Sequence, residues 1–376
     1  MKEGLNKVVV FFGGKSVERE VSIITGVQVI NKINPIRNEV FPIYINESGQ
    51  WLYSPEFKQI ESFKNVDKIK VKRVCFVPNC NKLFWNKNGK LKEIAKIDIV
   101  INCCHGAGGE NGELAGVLES YQIPSISPGV LAGAISMDKM ASKIFFKGLG
   151  LNQVESVCYS KTVFDLNNEK VFSEIEKFGM PVVVKPCSLG SSVGVRFCKN
   201  LDEVKSAVSV AFAFDNSIIV ERGLEGFDEF FCSAFSFQKN TIVSEIEKNS
   251  SSLLLDFDEK YLTNHKRNFP AKIKKDLKEK IQQATKLIYE SLKCKGIIRV
   301  DFLYDKKSET LFVNEANVIP GSLAMGFWSE KFDMTDIFDF LMLDAKNDFV
   351  EKQKLQFCFP SNILENFTAG SRNKLK

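Results

Sequence analysis

The opening of the chain limits the fold more than any other feature. An apolar run, Val8–Phe12, is followed by Gly13-Gly14 and then by Ser16-Val17-Glu18-Arg19-Glu20. Ile23, Ile24, Val27, Ile30 and Ile33 come next at helical spacing, and the pattern stops before Pro35. A buried strand, a glycine turn and an amphipathic helix form the first unit of a doubly wound α/β sheet. The full GxGxxG fingerprint is absent, so a dinucleotide is not the expected ligand of this turn. Glu18 has two readings: a favourable charge at a helix start, or a carboxylate turned into a cleft to hold a substrate ammonium group.

The pattern continues for far longer than one core can absorb. At 376 residues the chain is expected to form two or three domains. Strands are expected at Val40–Ile45, Ile97–Asn102 and Ile123–Ile126, with Asn46–Ala95 harder to place. The boundaries expected are 1–127 for the N-terminal domain, 128–221 for a central block, 222–346 for a third block and 347–376 for a polar tail. The central block carries a helix around Lys139–Lys147 and strands at Pro181–Lys185, Val193–Phe197 and Ser217–Glu221. The third carries strands at Glu229–Phe237, Ile297–Tyr304 and Thr310–Glu315. Its helices are a long one starting near Pro270 and ending at Gly296, and a last one over Asp333–Asp344.

Composition excludes several classes. The net charge of +5 arises from 51 basic and 46 acidic residues that are intermixed, so a nucleic-acid surface is not expected. Ten cysteines without a CxxC pair, and only two histidines, argue against structural zinc. Cys103 and Cys104, inside an apolar run, read as buried thiols of a cytosolic protein. No run of 18 apolar residues would span a membrane, and the start MKEGLNK lacks an export signal's apolar core.

Besides Glu18, three places could carry chemistry. Arg299 and Asp301 share one face of a strand, as do Glu315 and Asn317, and a tight turn would set the strands side by side. Two carboxylates and an amide oxygen are hard ligands suited to Mg²⁺ on phosphate, with Arg299 placed to stabilise negative charge. The plainer alternative is a surface salt-bridge cluster. The loop Cys187-Ser-Leu-Gly190-Ser191-Ser192-Val-Gly194 follows Lys185, and its N–H groups could cradle phosphates with Lys185 as a point charge. An ordinary β-turn is the alternative, and the GxxxxGK[ST] type does not fit. His105 opens a glycine-rich loop at the carboxyl edge of the sheet, where open α/β sheets bind ligands. It could equally be structural, and His265 reads as a surface loop residue.

Taken in order, these segments resemble the ATP-grasp ligases, and among them the D-alanine–D-alanine ligase family. The matching motifs are FFGGKSVEREVS at Phe11–Ser22, HGAGGENGELAGVLE at His105–Glu119, SMDKMASK at Ser136–Lys143, VKPCSLGSSVGV at Val184–Val195, EKYL at Glu259–Leu262, and RVDFL with NEANVIPG. They span nearly everything up to about residue 345. The resemblance implies a Rossmann-like N-terminal domain followed by a two-lobed ATP-grasp fold. It implies ATP-dependent joining of two D-alanines through an acyl phosphate, for peptidoglycan, in a cytoplasmic homodimer with no nucleic-acid or membrane partner.

The same resemblance assigns roles. Lys139, Lys185, Ser191, Ser192 and Lys260 would meet ATP phosphates, Glu221 the adenine edge, and Glu229 the ribose. Because GFDE is one residue longer than the common GxE spacing, Asp228 stays an alternative for the ribose. Asp301, Glu315 and Asn317 would hold Mg²⁺ or Mn²⁺, with two ions expected. Glu18, Ser191 and Tyr261 would form the substrate triad, His105 and Arg299 would flank the reacting carboxylate, and the N–H of Gly321 would lie near the tetrahedral oxyanion. Two departures stand out. The loop after Pro320-Gly321 is shortened, so Ser322 is expected to take the carboxylate-binding role, and Asn111 stands where Asp is usual. Tyr261 favours D-alanine as second substrate. The alternatives are a ligase using D-serine or D-lactate second, and a nucleotide-binding paralogue without catalysis.

Overall fold

The computed structural model of the chain describes residues 4–249, 268–361 and 364. Its N-terminal part is an eight-stranded sheet. The strands are β1 (Asn6–Gly13), β2 (Asn38–Ile45), β3 (Trp51–Tyr53), β4 (Lys72–Val77), β5 (Cys80–Lys87), β6 (Lys90–Lys96), β7 (Ile99–Asn102) and β8 (Ser125–Ile126), in the order β6-β5-β4-β3-β2-β1-β7-β8. β2, β1, β7 and β8 are parallel. β3 to β6 extend the sheet in antiparallel fashion. The region 46–95 is thus built of meandering strands and two 3₁₀ segments, Pro55–Lys58 and Ile60–Lys68, whose half-exposed faces and short runs blur the periodicity that marks buried strands.

β1 is central, and Val8–Phe12 are completely buried. Its side chains alternate. Val8, Val10 and Phe12 enter one core with Ile23 and Ile30 of α1 (Arg19–Ile30). Val9 and Phe11 enter another with Leu114 and Leu118 of α2 (Glu113–Ser120). Gly26 lets α1 lie close on the sheet, since a Cβ there would stand 2.4 Å from the Phe12 ring.

Two four-stranded antiparallel sheets follow. α3 (Val130–Met137) and α4 (Lys139–Gly148) lead into β9 (Ser156–Ser160), α5 (Lys161–Leu166), α6 (Asn168–Phe178), β10 (Val182–Pro186), β11 (Arg196–Cys198), α7 (Leu201–Phe214) and β12 (Ser217–Arg222), with strand order β11-β10-β12-β9. The strand expected at Val193–Phe197 begins only at Arg196. Ser191, Ser192 and Gly194 all have positive φ, which curls the chain away from extended geometry.

The second of these sheets comprises β13 (Phe227–Phe237), β14 (Asn240–Lys248), β15 (Ile298–Asp305) and β16 (Thr310–Asn317), in the order β14-β13-β15-β16. α8 (Lys275–Ser291) covers one face through Ile281, Ala284 and Ile288. It starts five residues after Pro270, because Lys274 is still extended (ψ 141°), and stops before Gly296. α9 (Met334–Gln353) is longer than the Asp333–Asp344 read from its apolar residues, and the tail boundary expected at 347 falls inside it. Ile337, Phe338 and Leu341 of α9 share a core with Phe12 and Ile101 of the first sheet and with Trp328. The N-terminal and third parts are therefore packed as neighbours, and the cleft between them is walled by both.

Candidate active site

The carboxyl edge of the first sheet, the loop after β10 and one face of β13, β15 and β16 enclose a cavity of about 440 Å³. Register explains how the third part contributes. Asp301 pairs with Glu315 and Arg299 with Asn317 across β15 and β16. Directly opposite residues of an antiparallel pair share a face, and all four side chains line the cavity. Arg299 donates from Nε to Asp301 Oδ1 at 2.6 Å and from its terminal nitrogen to Oδ2 at 2.7 Å. Burial pushes the Asp301 carboxyl up and Arg299 pulls it back, while Glu315 and Glu229 raise it again, to about 6.

Glu229 and Asp228 are separated by strand alternation. Glu229 lines the cavity and its Oε2 accepts from Asn249 Nδ2 at 2.7 Å. Asp228 is held by Lys248 at 2.8 Å and Lys306 at 2.9 Å and is not part of the cavity wall.

The N-terminal part contributes Glu18, Thr25, His105 and Glu110. Glu18 precedes α1 but makes no side-chain cap hydrogen bond. Its carboxylate turns into the cavity, where Ser191 Oγ donates to Oε1 at 2.5 Å. The loop can come so near because residue 190 is glycine. A Cβ there would stand 2.8 Å from Glu18 Oε1. His105 is buried, with Nε2 3.0 Å from Thr25 Oγ1. Burial, reinforced by the Arg299 charge, lowers its pKa to about 4, although a hydrogen bond to the Ile319 backbone works the other way. The neutral ring is therefore the resting form.

Lys139 stands at the start of α4. Its Nζ donates to the Leu189 carbonyl and its own N–H to Cys187 O at 3.0 Å, so helix and loop are stitched together. Burial lowers the Lys139 pKa, against the pull of Glu315. Lys185 and Glu221 lie beside this cavity and outside its wall. Lys185 Nζ is 2.5 Å from Glu221 Oε2, and Lys143 Nζ is 2.8 Å from Oε1. Burial pushes the Glu221 carboxyl up, but the two ammonium groups outweigh it and hold it at about 2. Ser192 also stays off the wall, whereas Gly321 and Ser322 are on it. Lys260, Tyr261 and His265 lie outside the described residues.

Three participants escaped the sequence reading. Lys143 is one helical turn beyond Lys139, a spacing that places both on one face. Thr25 looks like an ordinary helix residue. Glu110 sits inside the glycine loop, its oxygens accepting from Gly106 N at 3.2 Å and Ile319 N at 3.3 Å. Burial, then the Glu18 charge, raise its pKa to about 8 despite those two N–H groups. Its protonated form is thus favoured well above the ordinary carboxylate range.

The residues also fit a divalent cation. Asp301, Glu315 and Asn317 offer hard oxygens on adjacent strands, and the Asn317 Nδ2 is buried with no hydrogen-bond partner, so no donor bond fixes which way the amide oxygen faces. Among the described residues no group of three or more His, Cys, Asp or Glu is arranged for a metal. Two carboxylates and an amide leave positions for phosphate oxygens, as Mg²⁺ prefers.

A Rossmann-like sheet joined to two antiparallel sheets, with an acidic and lysine-bearing cavity between, is the architecture of the ATP-grasp enzymes. Comparison with known proteins narrows this class. The family described as D-ala D-ala ligase N-terminus matches residues 7–128, and D-ala D-ala ligase C-terminus matches 145–335. The chain belongs to the D-alanine–D-alanine ligase family. A D-alanine--D-alanine ligase of Thermosipho melanesiensis is 35% identical over 366 residues, covering 95% of this chain and 97% of the relative. Among solved structures, the D-Alanine-D-Alanine Ligase of Helicobacter pylori aligns with TM-score 0.76 at 26% identity, over 90% of this chain and 98% of that one. The VanG D-Ala:D-Ser Ligase of Enterococcus faecalis aligns with TM-score 0.77 at 28% identity, over 91% and 100%.

Proposed function

We propose that this protein joins two D-alanines to D-alanyl-D-alanine at the expense of ATP, for peptidoglycan synthesis. The observation that carries the proposal is the meeting, in one cavity, of Glu18 and Ser191 with Arg299, Asp301, Glu315 and Asn317. One cluster suits an amino-acid ammonium and the other suits nucleotide phosphates.

The first D-alanine places its ammonium at Glu18 and its carboxylate toward Arg299. A carboxylate oxygen attacks the γ-phosphorus of ATP, the bond to the β-phosphate oxygen breaks, and ADP leaves. Lys139 and Arg299 neutralise charge on the transferring group. Asp301, Glu315 and Asn317 would hold one or two Mg²⁺ or Mn²⁺ ions, which supply charge neutralisation on the phosphates when bound. Lys185 borders the phosphate end, where a triphosphate competes with Glu221 for the ammonium groups of Lys143 and Lys185. Glu229 faces the ribose.

The second D-alanine then attacks the acyl phosphate carbon with its free amine. The tetrahedral oxyanion forms near Arg299 and the N–H of Gly321, phosphate departs, and one proton is released. An acyl phosphate hydrolyses in water, so the site must close, and the Ser191 loop already reaches Glu18.

Among the described residues no helix is long and apolar enough to cross a membrane. The ten cysteines carry no disulfide. Both fit a cytoplasmic enzyme, and the family resemblance supports a homodimer. The test is phosphate release with ATP, Mg²⁺ and D-alanine, with product mass read in the presence of competing D-serine and D-lactate. Release that needs all three, with D-alanyl-D-alanine as product, is the expected result. A mixed product containing D-serine or D-lactate would move the second substrate, and ATP turnover indifferent to D-alanine would remove the proposal.

A further inference from the structure

Thr25 stands at the centre of a hydrogen-bond chain to which the mechanism above assigns no part. It lies on α1, its side chain is fully buried, and it touches the cavity wall. Its Oγ1 accepts from the Ser322 N–H at 2.9 Å and lies 3.0 Å from His105 Nε2.

A backbone N–H can only donate, so Ser322 gives its proton to Thr25 Oγ1. The hydroxyl keeps its own hydrogen and a second lone pair, so it can pair with His105 Nε2 in either tautomer of the neutral ring.

The far end of the chain is strained. Ser322, Leu323 and Ala324 have φ of 52°, 45° and 49°. L-residues avoid this region, so three in succession persist only where surroundings hold them. The holding contacts are Leu323 N–H on Pro320 O at 2.8 Å, the burial of Leu323 and Ala324, and the Ser322 N–H on Thr25. The last of these comes from the N-terminal part and ties it to the turn after β16.

We propose that Thr25 is a positioning residue for the acceptor amino acid: its hydroxyl orders the His105 ring and pins the left-handed Ser322 turn. The second D-alanine then meets a wall already set, without the entropy of ordering it on binding. The inference rests on the ligase reading for the identity of the acceptor. The hydrogen-bond chain itself stands without it.

The experiment compares Thr25→Val, which keeps the shape and deletes the hydroxyl, with Thr25→Ser, which keeps the hydroxyl. Leaving the Ser322 N–H unpaired is expected to raise the KM of the acceptor D-alanine by about tenfold, with the ATP KM changed by less than about twofold. Thr25→Ser is expected to restore the acceptor KM. A second readout is independent of turnover. The chain has only two histidines, so ¹⁵N ring signals are simple to assign. Thr25→Val is expected to shift the His105 Nε2 signal, because it removes the hydroxyl that Nε2 touches. Wild-type KM values together with unchanged ring signals in Thr25→Val would overturn the proposal. A wild-type protein without D-alanine-dependent phosphate release would count against the ligase reading instead, and the ring signals would still judge the hydrogen-bond chain.

Discussion

Ser191 Oγ donates to Glu18 Oε1 at 2.5 Å, joining a loop of the central part to the residue just before the first helix of the N-terminal part. Two segments separated by 173 positions meet at one charged hydrogen bond. In the proposed mechanism the same carboxylate holds the donor ammonium, so substrate and loop closure are read by one group.

Removing this bond should loosen both. A hydrogen bond to a charged group contributes about 1.5–3 kcal/mol, or roughly 10- to 150-fold. Ser191→Ala is expected to lower kcat/KM for D-alanine within that range while Tm stays near wild type. Steady-state phosphate release and a thermal melt check both halves. Glu18→Gln, which removes the charge itself, should act mainly on the KM of the donor D-alanine.

Asp301 and Glu315 face each other across β15 and β16. If they hold the cation, neutralising either should weaken Mg²⁺ binding and turnover together. Asp301→Asn and Glu315→Gln are expected to lose on the order of 10²-fold or more in kcat, the scale for removing one electrostatic contact to the transition state. Their half-saturating Mg²⁺ concentration should rise. Titrating activity against Mg²⁺ at fixed ATP distinguishes this from a general loss of structure, which would leave the Mg²⁺ midpoint unmoved.

The buried Lys143–Glu221–Lys185 group supports stability with a defined pH signature. Glu221 is held at about 2, below its ordinary 4.5. An acid depressed in the folded state stabilises above the unfolded pKa and loses that contribution as pH falls through the folded one. The protein should therefore lose stability between about pH 4.5 and 2 through this group. Glu221→Gln should remove that component and, by leaving two buried ammonium groups uncompensated, cost about 3–5 kcal/mol at neutral pH. Denaturant unfolding at several pH values measures both.

Glu110 runs in the opposite sense. Its folded pKa of about 8 lies above the ordinary 4.5, so the native state keeps a proton that the unfolded chain releases. Stability from this group is present below about 4.5 and falls as pH rises toward 8. Glu110→Gln, neutral at every pH, should flatten that decline. Its Tm should compare more favourably with wild type at pH 8 than at pH 5, and differential scanning calorimetry at the two pH values decides it.

Much of the framework is legible because buried parallel strands and amphipathic helices leave strong periods. Val8–Phe12 and Ile99–Asn102 are of this kind, and both are buried along their length. The meander over Trp51–Lys96 is not, since its strands are exposed on one side and interrupted by turns. Arg299, Asp301, Glu315 and Asn317 could be grouped from strand alternation and a short turn alone. Thr25, Lys143 and Glu110 could not, because their importance comes from what they touch at long range: His105 and Ser322, Glu221, and Ile319. Which of Asp228 and Glu229 faces the cavity likewise needed the register of β13 on β15, which sequence spacing does not carry.

The most direct test of the whole account is the product formed by the purified protein from D-alanine, ATP and Mg²⁺. Mass analysis is expected to show D-alanyl-D-alanine in equal amount to ADP and phosphate, with none when any one component is left out. ADP and phosphate accumulating without dipeptide, or at the same rate without D-alanine, would contradict it.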